Sequence, residues 1–210
     1  AALVLGTFFA GALAQVVALS FTRYTAFRGP EWVGLENYRR LLVSERFWQC
    51  LLNSALYLLV TPVIIVLSLL AAMAVEAKLR GMSWLRLALF LPVVTPTIVA
   101  ALMWRLLYSE ESGLLNTALQ SVGLGPINWL SERPWTLISA AIVTLWKGFG
   151  FFMMVFLAAL LSVPRELKEA ASLDGASRAQ VFWNVTFPSI RPAIALVFVI
   201  SSISALKVFE

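Results

Sequence analysis

The sequence predicts an all-α fold, a polytopic bundle of helices that crosses a membrane several times. Of its 210 residues, 60% are hydrophobic and only 13% are charged, whereas a soluble domain carries about 25% charged residues. Apolar runs of roughly twenty residues recur along the chain, which is the length that a helix needs to cross a hydrocarbon core about 30 Å thick. Only helices satisfy their own backbone in such runs. Eight Trp and fourteen Phe residues suit helix ends that are anchored at the membrane interface.

Five segments are predicted to span the membrane, and together they form one predicted domain over residues 1–210. The spans cover about residues 1–22, 51–75, 87–108, 135–163 and 192–210. Prolines lie inside two of them, Pro62 in the second and Pro92 and Pro96 in the third. Because a proline lacks the backbone N–H and frees a carbonyl, we expect kinks in these two spans.

The basic residues around the spans do not decide the orientation in the membrane. Cytoplasmic loops normally carry the excess of Lys and Arg. Here each side has seven. One side has Arg23, Arg28, Arg39, Arg40, Arg46, Arg105 and Arg133, and the other has Lys78, Arg80, Arg86, Arg165, Lys168, Arg178 and Arg191.

The composition excludes several kinds of site. There is no histidine and Cys50 is the only cysteine, which excludes a zinc site of the usual His/Cys kind, an internal disulfide and a histidine base. No G-x-x-x-x-G-K-[ST] sequence is present, so the chain holds no ATP in a P-loop. The basic residues are scattered and predict no nucleic-acid surface. We expect no catalytic residue, metal or cofactor in this chain, and any ATPase is a separate polypeptide.

The stretch between the last two spans, residues 162–191, is predicted to form two short helices separated by a glycine. Pro164 fits the first turn of a helix. Gly175 stands where a left-handed helix end is expected, and Ser177 can cap the second helix. Two prolines then return the chain to the membrane, Pro188 and Pro192.

A folded loop of this length allows two interpretations. Leu167, Ala170 and Ala171 fall on one face of the first helix, with charged residues around the rest. Such a helix can project from the membrane and fit a groove on a partner protein. It can equally lie flat on the lipid headgroups, and the physical argument alone does not choose between the two.

The spacing of the fixed residues in this loop resembles a known family. Glu169-Ala170-Ala171 is followed after three residues by Gly175, and after nine more by Val185-Thr186-Phe187-Pro188. This pattern resembles the EAA loop of the permease subunits of binding-protein-dependent ABC importers, whose usual ending is Ile-x-Leu-Pro. Three further stretches look like the carbohydrate-uptake branch, which includes the maltose-type and glycerol-3-phosphate-type permeases: residues 33–38, 90–104 and 164–167.

The resemblance implies a type I permease fold in a bacterial inner membrane. It implies that the loop is cytoplasmic and forms a coupling helix on an ABC ATPase subunit. It also implies a second permease subunit, two ATPases that bind ATP and Mg, and an external solute-binding protein. Family members have six core spans, so we expect one more span after Glu210. The residues expected to couple to the ATPase are Leu167, Glu169, Ala170, Ala171, Asp174, Gly175 and Pro188.

Two lysines lie inside predicted spans, where a charge is costly and suggests function. Lys147 is in the middle of the fourth span, beside Gly148. Lys207 is in the fifth span and follows Ser201 and Ser204 at steps of three residues, roughly along one face. Either lysine can instead pair with backbone carbonyls or extend toward the headgroups.

Resemblance to the maltose-type branch implies that substrate contacts come from these same two regions. Carried over by position, and with Lys207 added, the candidates are Thr144, Lys147, Gly148, Phe151, Ser201, Ser204, Ala205, Lys207 and Val208. Several are apolar or differ in type from the maltose-type residues, which disfavours maltose itself. Lysines in the path favour an anionic solute such as a sugar phosphate, whereas Phe151 can stack against a sugar ring.

The predicted function is therefore a permease subunit that carries a sugar or sugar-like solute, sugar or glycerol phosphates included. The alternative is an ion-coupled secondary transporter or channel that works without an ATPase. Such proteins usually carry acidic residues within their spans, and this sequence has none in the middle of a predicted span. A membrane-embedded enzyme is a third class, for which the sequence offers no evident catalytic groups.

Overall fold

The computed structural model describes residues 2–25, 29–77 and 82–207. These residues are mostly helical, which confirms the predicted all-α class. The chain divides into two compact units, Ala1–Asn53 and Ser54–Glu210. Some residues named in the sequence analysis lie outside the described ranges, namely Arg28, Lys78, Arg80, Val208 and Glu210.

The first unit combines helices with a small β-hairpin. Helix α1 (Ala2–Ser20) leads into strand β1 (Thr22–Thr25), which pairs antiparallel with β2 (Gly29–Trp32), and α2 follows (Glu36–Val43). The side-chain amide of Asn37 donates to the carbonyls of Ser20 and Thr22 at 2.8 and 2.9 Å. These bonds fix the start of α2 against the hairpin, an arrangement that the sequence analysis did not predict.

The second predicted span is built from α3 (Glu45–Tyr57) and α4 (Val60–Glu76). The two helices meet at a short turn just before Pro62. In a continuous helix, residue 62 would donate to the carbonyl of Leu58. Because proline has no N–H, that carbonyl instead accepts from the Thr61 N–H at 3.0 Å.

The third predicted span is sharply bent. It contains α5 (Met82–Val94) and α6 (Thr97–Leu107), whose described parts meet at an angle of 106°. Pro92 lies inside α5 and Pro96 immediately precedes α6. The carbonyl of Pro92 has no N–H from Pro96 to accept and takes the Thr95 N–H at 3.3 Å. The predicted proline kink is thus present, and it is larger than a simple bend.

The remaining helices include a long continuous helical stretch at the end of the described chain. They are α7 (Leu114–Ser121), α8 (Trp135–Ser162), α9 (Arg165–Leu173), α10 (Arg178–Val181), a π-helical turn (Phe182–Thr186) and α11 (Phe187–Leu206). From Arg178 to Leu206 the chain stays helical for 29 residues.

The helix that contains the predicted span from about residue 192 begins earlier, at Arg178, so the expected separate second loop helix is corrected to the first turns of this helix. A regular α-helix would need the missing N–H of Pro188. The π-helical turn just before Pro188 carries the helix past this point, with the Phe187 N–H bonded to the Phe182 carbonyl five residues back. Pro188 is therefore accommodated within one continuous helix. It does not separate a short second loop helix from the last span.

Several described helices are long and apolar enough to cross a membrane. Three qualify alone, Glu45–Glu76, Trp135–Ser162 and Arg178–Leu206, and the bent pair Arg86–Val94 with Thr97–Leu107 makes a fourth if it is one span. The part of α1 for which side chains are also described, Gly6–Ser20, is apolar but shorter. Exposed apolar side chains remain on these helices, for example Leu70 and Leu102, each 56% exposed, as expected where lipid is the solvent.

The core of the second unit lies between α4, α8 and α11. Its buried members are Ile64, Ala72, Val75, Phe152, Met153, Phe156, Leu157, Leu160, Val163, Ile190 and Val197. Gly150 of α8 lies directly against α5, and a Cβ atom placed there would be 2.0 Å from the Leu89 carbonyl oxygen. A side chain of any size is therefore excluded at this crossing.

Candidate functional site

A cavity of about 430 Å³ lies in the helical bundle of the second unit. Its walls come from the first turns of α4, the middle of α8 and the end of α11, together with Val93 of α5. Seven sequence-predicted substrate residues line it: Thr144, Lys147, Gly148, Phe151, Ser201, Ser204 and Ala205. Residues from two distant parts of the sequence therefore meet at one site.

Two other candidates are not part of this wall. Lys207 is exposed and caps the C-terminal end of α11, and it is not among the residues that line the cavity. Residues spaced by three turn by 300° along an α-helix, so each step drifts about 60° from the starting face. Two such steps from Ser201 carry Lys207 well away from it. Val208 lies outside the described residues.

Lys147 has a backbone partner. Its Nζ donates to the Thr95 carbonyl oxygen at 2.8 Å. Thr95 lies in the bend between α5 and α6, and the first hydrogen bond of α6 uses the next carbonyl, that of Pro96, which accepts from Ala100 at 3.0 Å. The bond also places a cation at the C-terminal end of α5, where the helix dipole is negative. The charge within the span is thereby compensated by pairing with a carbonyl.

The hydroxyl groups of the cavity wall differ in their bonding. Ser201 and Ser204 donate to carbonyls of their own helix, Val197 at 2.6 Å and Ile200 at 2.9 Å. Thr61 is 1% exposed, and its hydroxyl has no hydrogen-bond partner among the described residues. Sequence reasoning missed Thr61, because a threonine within an apolar run gives no signal of its own.

A hydrogen-bonded contact joins the end of α3 to α8 beside the cavity. The Tyr57 hydroxyl donates to the Ala140 carbonyl at 2.9 Å and is also hydrogen-bonded to the Thr144 hydroxyl. Thr144 lines both this cavity and a second one of about 460 Å³. The second cavity also includes Trp104 and Arg105 in its walls.

The first half of the loop after α8 ends in a left-handed glycine, as predicted. Gly175 has φ +84°. The Ala176 N–H donates to the Ala171 carbonyl at 3.0 Å, and the Gly175 N–H to the Ser172 carbonyl at 3.1 Å. This is the Schellman pattern, in which the last carbonyls of a helix are satisfied by the two residues after its end.

The ends of the two loop helices are also defined by capping. The Ser177 N–H donates to Gln180 Oε1 at 2.8 Å, and the Gln180 N–H donates to Ser177 Oγ at 3.4 Å. This capping box confirms Ser177 as the N-cap. Pro164 is the N-cap of α9, with extended backbone at ψ 131°, so the prediction that it lies inside the first turn is corrected by one position.

Helix α9 has one free face and one attached face. Leu167 is 51% and Leu173 89% exposed. On the other face, Lys168 Nζ lies 2.8 Å from Glu76 Oε1 at the end of α4. The other residues expected to couple to an ATPase are exposed, except for half-buried Ala171: Glu169, Ala170, Asp174, Gly175 and Pro188.

Comparison with known families gives one match that covers most of the chain. Residues 52–209 match the family described as "Binding-protein-dependent transport system inner membrane component". The matched region includes α4–α11, and with them the cavity and the loop that contains α9.

Relatives with high sequence similarity are named as permease proteins. The trehalose/maltose transport system permease protein MalF of Thermococcus litoralis is 33% identical, over 85% of this chain and 61% of its own length. The arabinooligosaccharides transport system permease protein AraP of Halalkalibacterium halodurans is 36% identical, over 93% of this chain and 62% of its own. The chain thus spans about three fifths of the length of these relatives.

Solved structures with the same fold include a bacterial ABC transporter involved in the import of the acidic polysaccharide alginate. One of its chains is 26% identical, with a TM-score of 0.76 over 99% of this chain and 73% of its own. A second structure is that of an alginate transporter in complex with a periplasmic protein that holds an alginate pentasaccharide, with 26% identity and a TM-score of 0.72. The family match, these relatives and the shared fold agree, and the chain belongs to the binding-protein-dependent transport system inner membrane components.

Proposed function

We propose that this chain is the permease subunit of an ATP-driven importer that carries a sugar or sugar-like solute across the inner membrane. The observation that carries the proposal is the meeting of seven predicted path residues in one cavity of about 430 Å³. Helix α8 forms part of that cavity with its middle turns and leads at its C-terminal end directly into α9. The site for solute and the loop for coupling therefore share one helix.

The exposed face of α9 supports docking to a separate ATPase. Leu173 is 89% exposed, and the charged Glu169 beside it gives the helix a mixed surface of the kind that partner grooves recognise. The coupling role is proposed for Leu167, Glu169, Ala170, Ala171, Asp174, Gly175 and Pro188. ATP and Mg are bound by the partner ATPases, and the proposed assembly also holds a second permease subunit and an external solute-binding protein.

The lining of the cavity suits a solute with a ring and hydroxyl groups. Its walls are mostly apolar, with a few polar groups that can orient a ligand. Phe151 is 43% exposed and offers a ring face, while Thr144, Ser201 and Ser204 bring hydroxyls. Lys147 has three N–H donors. One of them is bonded to Thr95, which leaves donors for either a sugar hydroxyl or a phosphate oxygen.

The test is uptake by the complete importer, with all its subunits reconstituted in liposomes. We expect accumulation of sugars or sugar phosphates that requires ATP and continues when ion gradients are dissipated. Neutral and phosphorylated solutes are compared at equal concentration. Uptake driven by an ion gradient in the absence of ATP would identify a secondary transporter and overturn the proposal.

Two variants of the loop test the coupling role. Glu169→Lys reverses a charge on the exposed face of α9, and Gly175→Val puts a β-branched residue at φ +84°, which only glycine adopts easily. We expect both proteins to reach the membrane, and to hydrolyse ATP with little solute uptake. Glu111→Lys, an exposed carboxylate outside the loop, is the matched control and should transport normally. Normal transport by both loop variants contradicts the assignment.

A further inference from the structure

Helix α4 connects the loop to the cavity without a break. It runs from Val60 to Glu76, a length of about 25 Å at 1.5 Å per residue. Its first turns contribute Val60, Thr61 and Ile64 to the cavity wall. Its last residue, Glu76, is paired with Lys168 in the middle of α9.

Glu76 does not stabilise α4 by its position at the end of the helix. A carboxylate at the C-terminal end of a helix faces the negative end of the helix dipole, which is unfavourable. Lys168 supplies the opposite charge at 2.8 Å, and both side chains are only about a quarter exposed, at 26% and 27%. Partial burial shields the contact from solvent more than a surface ion pair, so this contact holds more firmly than an ordinary one.

The position of Lys168 determines what the contact can do. Helix α9 is joined covalently to its neighbours at its two ends, through Pro164 and through Gly175, and it also packs against α10 and the π-helical turn. Lys168 adds a charged side-chain contact from the middle of α9 to the end of α4. This contact ties the two helices together, so we expect a push on the exposed face of α9 to move α4 as well.

Helix α4 is itself packed firmly enough to transmit such a push. Ala72 is fully buried and Val75 is 3% exposed, and the Ser68 hydroxyl donates to the Phe149 carbonyl of α8 at 3.3 Å. A well-packed helix moves as a body and does not bend locally. A displacement at Glu76 is thus carried along the helix to Thr61 and Ile64 in the cavity wall.

We propose that the Lys168–Glu76 ion pair locks α9 to α4, so that α4 transmits the motion of the coupling loop to the wall of the solute cavity. Both are positioning residues, since neither lines the cavity. The inference rests on the proposed function. It adds a specific route by which a movement of the loop reaches the solute.

The test is a double-mutant cycle in the reconstituted importer, with Glu76→Gln, Lys168→Gln and the double variant. The readout is solute transported per ATP hydrolysed, which a merely stabilising contact would leave unchanged in assembled complexes. We expect each single variant to lower this ratio by about twofold or more, and the double variant to be no worse than the poorer single one, as holds for groups in direct contact. Additive losses, or unchanged ratios, overturn the inference.

A control and a charge reversal sharpen the test. Glu36→Gln and Arg40→Gln break the other ion pair among the described residues, an exposed contact of 3.1 Å within α2, and should leave the ratio unchanged. Arg178 lines the same small cleft as Glu76, so Glu76→Lys should be more harmful than Lys168→Glu. The reverse order contradicts the geometry.

A cross-link covers the case in which the variants fail to assemble. Glu76→Cys and Lys168→Cys, in a Cys50→Ser background, are joined by a flexible linker that contains a reducible disulfide. Because the linker replaces the ion pair that the two substitutions remove, the linked importer should transport more solute per ATP than the same cysteine variant after reduction. Loss of transport on linking, with recovery on reduction, overturns the inference. Wild-type uptake is measured first, so that absence of ATP-driven uptake there counts against the proposed function and not against this contact.

Discussion

Inside α8 the ammonium group of Lys147 is bonded to a backbone carbonyl and not to a carboxylate. Its partner, Thr95, lies fifty-two residues earlier in the chain, at the bend that Pro92 and Pro96 produce. The bend leaves a carbonyl outside the regular helix ladder, and the lysine satisfies it. Each of these two costly features, a charge in a span and an unpaired carbonyl, thus compensates the other.

Lys147→Met is therefore expected to destabilise the protein. The substitution keeps most of the length of the side chain but leaves the Thr95 carbonyl without its donor. That loss costs about 1–3 kcal/mol for a fully buried group, and we expect a value at the low end because this bond is only partly buried. Thermal unfolding of the purified protein in detergent should show a lower midpoint. Lys207→Met, at an exposed position, is the control and should leave the midpoint unchanged. Equal midpoints for the wild type, Lys147→Met and Lys207→Met would show that the bond with Thr95 contributes nothing to stability.

The sequence is informative about single residues where a residue type is unusual for its surroundings. Lys147 attracts attention because a charge within an apolar run is costly. Its partner is not predictable, since the contact joins distant parts of the chain. Thr61 is not noticeable at all in the sequence, and only the packing of α4 places it in the cavity wall.

At the scale of the helices, Gly150 determines how closely α8 approaches α5. A Cβ atom at this position would lie 2.0 Å from the Leu89 carbonyl oxygen and 3.1 Å from Phe90 Cα. Both are backbone atoms, which cannot move aside as the end of a side chain can. Close approach through a small residue is a common way for helices to pack in membranes.

Gly150→Ala should separate α8 from α5 and destabilise the bundle. Overpacking of a tight contact costs about 1–3 kcal/mol, and the unfolding midpoint in detergent measures the loss. Gly11→Ala is a matched control within a helix, because nothing lies within 4 Å of the added Cβ. This control should be neutral or slightly stabilising. A stability of Gly150→Ala equal to that of Gly11→Ala would refute the close crossing.

Helix ends and breaks that depend on a few neighbouring residues are predicted correctly from the sequence. The left-handed end at Gly175, the cap at Ser177 and the break near Pro96 each depend on a few neighbouring residues. The sequence predicts too late a start for the last helix, because Pro188 normally ends a helix. Here a π-helical turn before Pro188 keeps the helix continuous. The hairpin of the first unit was missed because its strands are only four residues long.

At the scale of the whole molecule, the fold class follows from composition and from the length of the apolar runs. The cavity does not follow from either, because its walls are formed by residues of α4, α8 and α11 that are far apart in the sequence. The loop after α8 was recognised by its spacing, which is typical of a family and has no simple origin in the stability of this chain. Its exposed apolar residues, such as Leu173, are costly in isolation and are explained if a second protein covers them.

The central claim is that the loop lies in the cytoplasm and is covered by an ATPase, and labelling at Leu173 tests it directly. Leu173→Cys in a Cys50→Ser background is treated with a maleimide that cannot cross the membrane, in right-side-out and inside-out vesicles, with and without the ATPase subunits. We expect labelling only in inside-out vesicles, and much slower labelling when the ATPase is bound. Labelling from the outside, or labelling that the ATPase does not slow, would contradict the account.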